Sequence, residues 1–227
     1  MTDQATGTVE VLATADARRE QILRAALAVI AERGYPDTRI ADVAERTGIS
    51  PALVIYYFQT RDHLLTEAIR YAEDQWYADS QRRMESLPTA AMRLEELVAM
   101  SCLPEDDPDP QSSWLLWLDF WSQAARNPEV GALRRHSDER WRAAISTQVM
   151  AGQQAGEFRQ VDPGGFAVSL SALLDGMAVQ IALREPAVSP LRAFELSMQY
   201  VADTLGFEWQ AGRGRLELTQ ADWENGR

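Results

Sequence analysis

The sequence contains no lysine, only one cysteine and only two histidines. A single cysteine, Cys102, cannot form a disulfide within the chain, which is typical of proteins from a reducing cytoplasm. Neither His63 nor His136 accompanies a nucleophile motif, and no metal-ligand spacing or glycine-rich phosphate loop is present. These absences predict a protein that is not an enzyme, with no catalytic residues, no metal and no cofactor.

Long apolar runs are also missing. The longest apolar stretches are short, such as residues 114–118, and none is long enough to span a bilayer. Residues 1–14 have neither the basic start nor the apolar core of a signal peptide. We therefore expect a cytoplasmic protein with no membrane partner. Its 227 residues are enough for one small and one larger domain.

Basic charge is scarce, because the net charge is −12, and a strongly acidic chain is a poor partner for nucleic acid. The charge is unevenly distributed, however. Residues 17–63 carry seven arginines and six acidic residues, whereas residues 64–227 carry fifteen arginines and twenty-five acidic residues. The N-terminal part is therefore the only region that could lie along a phosphate backbone without strong repulsion.

Helical periodicity runs through almost the whole chain, and no segment alternates with period two for long enough to predict a strand. Asp16, Ser50 and Thr60 are N-cap candidates, Pro51 suits a first helical turn, and Gly34 closes the first helix. The predicted helices are residues 16–33, 38–46, 50–58, 60–84, 89–103, 112–126, 129–155, 163–184 and 190–206.

The second and third helices are separated by a tight turn at Gly48, which is the pattern of a helix-turn-helix. Val43 and Ile49 are placed to bury this turn, and the small Ala44 allows the two helices to approach closely. Ser50 then begins a helix whose N-terminus can face a phosphate. Geometry alone leaves two readings open, a DNA-binding motif and an ordinary helical corner.

The stretch from Arg19 to Ala68 resembles the DNA-binding domain of the TetR family. The resemblance is carried by the segments ILRAALAVIAERGY, TRIADVAERTGIS and YYFQTRDHLL, in this order and at the family's spacing. It implies that one helix of each domain enters the major groove of an operator. This chain departs from the family pattern at two positions: Ile55 replaces a tyrosine, and Arg39 replaces a threonine.

The resemblance also implies a role for each position of the DNA-binding surface. Three residues would face base edges, three would contact the phosphate backbone, and two at the start of the second helix would reach the rim of the groove. Ser50, at the N-terminus of the recognition helix, is a further DNA-binding candidate. Alternatively, the tyrosines fill the core and the arginine is a solvated helix end. The residues expected at base edges are Pro51, Ala52 and Tyr56. Those expected at the phosphate backbone are Leu53, Tyr57 and Arg61, and those expected at the groove rim are Thr38 and Arg39.

Residues 84–206 resemble the C-terminal domain of the choline-betaine regulator branch of this family, through WLDFWSQAARNPEVGAL, GEFRQVDP and LSALLDGMAVQIAL. The resemblance implies a small-molecule effector, and the tryptophans of helix 112–126 could form an aromatic box for a cation. This helix is apolar on almost every side, so it is also predicted to be buried, and its tryptophans are alternatively a core stripe. The candidate ligand-binding residues are Tyr71, Trp76, Trp114, Trp117, Trp121 and Asp175.

Small residues recur along helix 163–184, where they permit close helix packing. Together with helix 190–206 they predict a four-helix bundle with a second copy of the chain. Ordinary packing within one chain is the alternative. The candidate dimer residues are Ala167, Ser171, Ala178, Ala182, Phe194, Met198 and Val201.

The predicted fold is all-α, with an N-terminal three-helix DNA-binding domain containing a helix-turn-helix and a C-terminal helical domain for ligand binding and dimerisation. Its parts are a flexible arm (1–15), the DNA-binding domain (16–63), the regulatory domain (64–206) and a C-terminal tail (207–227). We expect a ligand-responsive transcriptional regulator, most simply a homodimeric repressor that a small-molecule effector releases from a palindromic DNA operator. The alternative is a ligand-binding helical protein that has lost specific DNA binding.

Overall fold

The computed structural model describes the backbone of residues 3–103 and 110–210, and the side chains of residues 15–103 and 114–210. Over these ranges it contains nine α-helices and no strand. The all-α prediction is therefore confirmed. The helices are α1 (Asp3–Arg33), α2 (Ile40–Thr47), α3 (Pro51–Phe58), α4 (Arg61–Glu85), α5 (Ala90–Cys102), α6 (Pro110–Ala124), α7 (Pro128–Ala155), α8 (Pro163–Ala182) and α9 (Pro190–Leu205).

Local capping chemistry sets most helix ends. The Ser50 hydroxyl accepts a hydrogen bond from the Leu53 N–H at 3.2 Å, and the Thr60 hydroxyl accepts one from the His63 N–H at 3.1 Å. Gly34 ends α1 in the left-handed region, with φ of 82°. These caps were predicted and are confirmed, because each satisfies helix-end backbone groups with residues nearby in sequence.

The first helix is longer than predicted. Its backbone is helical from Asp3, through most of the expected arm (1–15), so Asp16 lies inside the helix and is not its N-cap. The segment before Asp16 contains one glycine and no proline, so nothing in it forces the helix to begin later.

The chain divides into two compact units whose boundaries differ from the predicted domains. The first unit comprises Met1–Gln75 and Asp119–Leu133. Its core joins α1 to the start of α4: Ile22, Ala26, Val29, Ile30, Val43, Ala44, Val54, Phe58, Leu64, Leu65 and Ala68 are all buried. A boundary at the start of α4 would cut through this core, which is why the observed division lies further along that helix.

The second unit comprises Trp76–Leu118 and Arg134–Arg227. Its core lies among α5, α8 and α9, with Ile145 and Val149 of α7. The beginning of the predicted tail packs on this core, because the Phe207 ring lies 5.3 Å from Phe158 and the Trp209 ring lies 5.8 Å from Phe194. The rest of the predicted tail, residues 211–227, lies outside the described residues.

Helix α8 is long and apolar enough to cross a membrane when judged by length and composition alone. Its inner face, however, contributes Phe166, Leu170, Leu174 and Ile181 to the core of the second unit. Packing on the core accounts for the apolar residues on one side of α8. The helix also has apolar residues on its other side, which this core does not cover.

Candidate functional site

The surface of α3 combines a buried and an exposed apolar face. Val54 and Phe58 are buried, whereas Leu53, Ile55 and Tyr56 are 36%, 47% and 77% exposed. Pro51 and Ala52, at the start of the helix, are exposed as well. An exposed run of this kind on a short helix is typical of a contact surface.

The turn before α3 fixes the angle between α2 and α3. Gly48 has φ of 69°, its N–H donates to the Glu45 carbonyl at 3.2 Å, and the Ile49 N–H donates to the Ala44 carbonyl at 3.1 Å. Left-handed backbone of this kind favours glycine. The turn thus holds the two helices in the arrangement of a helix-turn-helix.

Arg19 of α1 anchors the other end of α3, a role that the sequence analysis missed. One guanidinium nitrogen lies 2.9 Å from Glu67, a second donates to the Tyr57 carbonyl at 3.4 Å, and the guanidinium carbon stands 4.5 Å from the Phe58 ring centroid. A cation at the C-terminal end of a helix is favourable because the unpaired carbonyls there carry partial negative charge. Arg19 therefore ties α3 to α1 and α4.

Arg61, predicted as a phosphate contact, makes several contacts with groups of its own chain. It donates to the carbonyls of Thr38 at 2.7 Å, Pro36 at 2.9 Å and Tyr35, and it pairs with Asp62 at 2.7 Å. These carbonyls belong to the loop between α1 and α2, where the backbone is not helical and intrahelical hydrogen bonds do not satisfy them. Arg61 is thus a structural residue that holds this loop against the start of α4.

Replacing Arg61 by alanine is expected to lower the free energy of unfolding by about 1.5 kcal/mol, because several charge-assisted hydrogen bonds to one loop are lost together. Urea denaturation measures this. The matched control is Arg70→Ala, since Arg70 makes a single exposed ion pair with Glu67. Equal stability of the two variants would show that the Arg61 contacts with the loop do not stabilise the folded state.

The two residues expected at the groove rim have different environments. Thr38 is buried and its hydroxyl donates to the Gly34 carbonyl at 2.8 Å, so its predicted surface role is wrong. Arg39 is exposed, and its backbone N–H donates to Asp42 at 3.1 Å as α2 begins. Tyr57 is half-buried against Tyr56, with ring centroids 5.5 Å apart.

Asp119 of α6 contacts the end of α1. Its carboxylate accepts a hydrogen bond from the Tyr35 N–H at 3.2 Å, and the same oxygen would lie 2.9 Å from a Cβ atom placed on Gly34. The carboxylate can approach this closely only because residue 34 is glycine. Asp119 and Arg61 therefore hold the loop after α1 from two directions.

The tryptophans of α6 are not buried as predicted. Trp114, Trp117 and Trp121 are all half-buried, Leu115 is 45% exposed, and Phe120 is the fully buried residue among the side chains of α6 that the structure describes. Trp114 packs against the core of the second unit, whereas Trp121 belongs to the first unit. Their sequence spacing reflects an amphipathic helix with a partly exposed side.

Two other predicted ligand residues are engaged elsewhere. The Tyr71 hydroxyl donates to Glu20 at 2.8 Å and accepts from Arg24 at 3.0 Å, so it fastens α4 to α1 within the first unit. Asp175 lies 3.4 Å from Arg134, and burial raises the pKa of its carboxyl against the opposing effect of that arginine. Neither residue lines the cleft described next.

A cleft of about 150 Å³ lies between the end of α4 and α5 in the second unit. Its lining repeats at helical spacing on both helices, with Trp76, Asp79 and Arg83 on α4 and with Glu96, Ala99, Met100 and Leu103 on or just after α5. Two carboxylates, one guanidinium, an indole and an apolar wall thus meet in one place. Of the predicted ligand residues, Trp76 is the one that lines it.

Trp76 is held in an aromatic cluster. Its ring lies 5.0 Å from Tyr77 and 5.7 Å from Trp141 of α7, both edge to face, and the Arg140 guanidinium stands 4.2 Å from the Tyr77 ring centroid. Such packing fixes the orientation of an indole before any ligand arrives. Trp141 contacts Trp76 without lining the cleft, and the sequence analysis missed it because it lies in a helix with many charged residues.

The predicted dimer residues form the core of a single chain. Ser171 is half-buried and donates its hydroxyl to the Ala167 carbonyl at 2.7 Å. The others are buried within the single chain, so they offer almost no exposed surface to a second copy. They are Ala167, Ala178, Ala182, Phe194, Met198 and Val201.

The opposite side of α8 is exposed and apolar. Val168 and Leu183, the residue that follows α8, are 53% and 69% exposed, and Ala172 and Gly176 are exposed between them. Their spacing follows one stripe of an α-helix, and a Cβ atom on Gly176 would meet nothing within 4 Å. We call these four residues the outer stripe of α8.

Cys102 is a core residue. It is buried, and burial raises the pKa of its thiol to about 12. The thiolate is therefore absent at neutral pH, and the side chain packs as a small apolar group.

Comparison with known families accounts for this architecture. Residues 22–68 match the family described as bacterial regulatory proteins, tetR family, and residues 90–206 match the BetI-type transcriptional repressor, C-terminal domain. The chain belongs to the TetR family. Its members are transcriptional regulators, so the helix-turn-helix in the first unit corresponds to the DNA-binding part of such a regulator and the second unit corresponds largely to its C-terminal domain.

Relatives of this TetR-family chain agree with that assignment. It is 30% identical over 189 residues to the HTH-type transcriptional regulator BetI of Burkholderia mallei, covering 83% of this chain and 93% of that protein. A transcriptional regulator from Saccharomonospora viridis, crystallised in complex with choline, superposes with a TM-score of 0.70 at 29% identity, covering 83% and 95% of the two chains. A TetR-family regulator from Rhodococcus sp. gives 0.72 at 27% identity, covering 83% and 98%.

Proposed function

We propose that this chain is a cytoplasmic, ligand-responsive repressor whose homodimer binds a palindromic DNA operator and releases it when a small molecule binds. The observation that carries the proposal is the exposed face of α3, on a helix fixed by the Gly48 turn at one end and by Arg19 at the other. A helix that is already held in place can enter a major groove with little further loss of conformational entropy.

The chemistry of this face suggests how sequence is read. Pro51, Ala52 and Tyr56 would contact base edges, with apolar contacts to thymine methyl groups, and Leu53 and Tyr57 would lie along the backbone. Arg39 would supply a phosphate contact in place of Arg61. Few hydrogen-bonding groups are available, so DNA shape should contribute much of the specificity.

Replacing Tyr56 by alanine is expected to weaken operator binding by roughly tenfold and to relax its sequence preference, while leaving stability unchanged because the ring is 77% exposed. Fluorescence anisotropy with the DNA upstream of the chain's own gene measures this. Met150→Ala, which removes a 45% exposed side chain on α7, is the control. Unaltered affinity and preference would mean that α3 does not read the operator.

We place the homodimer interface at the outer stripe of α8 rather than at the residues first predicted. A two-fold axis would set the stripe against its copy, and its small residues would allow close approach of the two helices. Burial of Val168 and Leu183 in this way would remove the exposed apolar surface from water. The dimer would then present two recognition helices to two half-sites.

For the effector we propose an organic cation bound in the cleft between α4 and α5. The cleft offers an indole, two carboxylates and an apolar wall, which together suit a positive charge carrying methyl groups. A related regulator was crystallised with choline, a ligand of this chemical class. The predicted aromatic box would thus involve Trp76 rather than Trp117 and Trp121.

The test is operator binding with and without choline chloride, against sodium chloride at equal concentration. Release by choline alone would support the proposal. Operator binding that choline leaves unchanged would contradict the proposed effector class. No binding to the upstream DNA would favour the alternative, a ligand-binding helical protein without specific DNA binding. Two sequence features are compatible with that alternative: the net charge of −12, and Ile55 in place of the family's tyrosine.

A further inference from the structure

The cleft between α4 and α5 already contains a cation that belongs to the chain. Arg83 Nε lies 2.7 Å from Asp79 Oδ2, and Arg83 Nη1 lies 3.6 Å from Glu96 Oε1. All three side chains line the cleft. The guanidinium therefore lies beside the two carboxylates that would otherwise pair with the positive charge of a ligand.

Glu96 is the residue that makes this position selective. Its side chain is only 11% exposed, and a carboxylate withdrawn from water to this extent is costly without a positive partner. A cation beside it therefore lowers this cost whether or not a ligand is present. Arg83 supplies such a cation in the structure.

The contacts of Arg83 with Asp79 and with Glu96 differ in strength. Its partner on the same helix, Asp79, is four residues away and within hydrogen-bond distance, whereas the contact with Glu96 on α5 is longer. The guanidinium can give up Glu96 and still keep Asp79, because the pair on α4 depends on that helix alone. Displacement of Arg83 from Glu96 thus leaves no unpaired arginine.

We propose that Arg83 is a specificity-determining residue of the effector cleft that competes with the ligand for Glu96. The inference rests on the proposed cationic effector. Binding then requires a cation that outcompetes a tethered guanidinium, and charge alone cannot do this. A ligand must also gain contact with Trp76 and with the apolar wall at Met100 and Leu103, so small inorganic cations are rejected.

Calorimetric titration with choline tests the proposal on the full chain. Arg83→Met removes the competitor and is expected to tighten choline binding roughly two- to fivefold, the range of a partly exposed ion pair. Arg83→Lys keeps a cation and should resemble the parent. Arg82→Met is the matched control, because Arg82 also pairs with Asp79, at 3.2 Å, but its side chain is 68% exposed and does not line the cleft.

Each outcome decides the matter. Equal choline affinity of the parent and Arg83→Met overturns the competition and leaves the effector class standing. Weaker binding by Arg83→Met also overturns it, since Arg83 would then assist the ligand. Binding by Arg83→Met alone supports the competition and removes choline as an effector of the parent. Absence of binding to both contradicts the inference and the proposed effector together. Arg83→Gln serves as a second variant should the methionine protein fail to fold.

Discussion

Replacing Ala172 by glutamate is expected to convert the homodimer into monomers that keep their helical fold but no longer bind the operator specifically. Ala172 is exposed in the single chain, so glutamate there costs the monomer little. In the proposed interface the new carboxylate would be withdrawn from water close to its own copy. Because one recognition helix covers only a half-site, operator affinity should fall on the order of 100-fold or more.

Light scattering and circular dichroism separate this effect from unfolding. Ala143→Glu, at another exposed alanine on α7, is the matched control and should remain a dimer. Ala178→Glu should behave differently from both, because Ala178 is 2% exposed and glutamate there would disrupt the core. A dimeric Ala172→Glu protein would move the interface away from the outer stripe.

Much of the fold was predictable because helix ends are encoded locally. Ser50 caps α3 through the N–H of a residue three positions away, and Thr60 caps α4 in the same way. Proline and glycine mark the other boundaries for similarly local reasons. The beginning of α1 is the exception, since Asp3 and Asp16 are the same N-cap residue type and the sequence does not distinguish between them.

The inner face of α8 could not be chosen from the sequence. This helix carries small and apolar residues on two sides, one containing Ala167 and Ala178 and the other containing Val168 and Ala172. Periodicity identifies both sides as apolar but does not say which one the neighbouring helices cover. Packing against α5 and α9 makes that choice, and it reverses the predicted dimer face.

Polar residues with distant partners were the other source of error. Arg61 donates to the Tyr35 carbonyl 26 positions earlier, and Asp119 accepts from the Tyr35 N–H 84 positions earlier. Backbone groups carry no sequence signature, so an arginine that satisfies carbonyls looks the same in sequence as one that would bind phosphate. The position of Asp119 within an apolar helix was the one available hint.

The Gly34–Asp119 contact makes a strong prediction about the first unit. Replacing Gly34 by alanine is expected to lower the free energy of unfolding by about 3 kcal/mol. Part of this is the cost of a left-handed alanine, and the rest arises because the new Cβ would lie 2.9 Å from the Asp119 carboxylate. The carboxylate would have to withdraw, and the Tyr35 N–H would lose its partner.

Gly48→Ala isolates the first contribution, the cost of a left-handed alanine, and the difference between the two variants then gives the second. Gly48 also has a positive φ, 69°, but a Cβ atom there would meet nothing within 4 Å, so its replacement should cost only about 1–2 kcal/mol. A double-mutant cycle completes the test by urea denaturation. Asp119→Ala should destabilise the parent by about 1 kcal/mol but cost nothing in the Gly34→Ala background, where the hydrogen bond is already broken. Additive effects would mean that Asp119 and Gly34 do not constrain each other, and the loop before α2 would then depend on Arg61 alone.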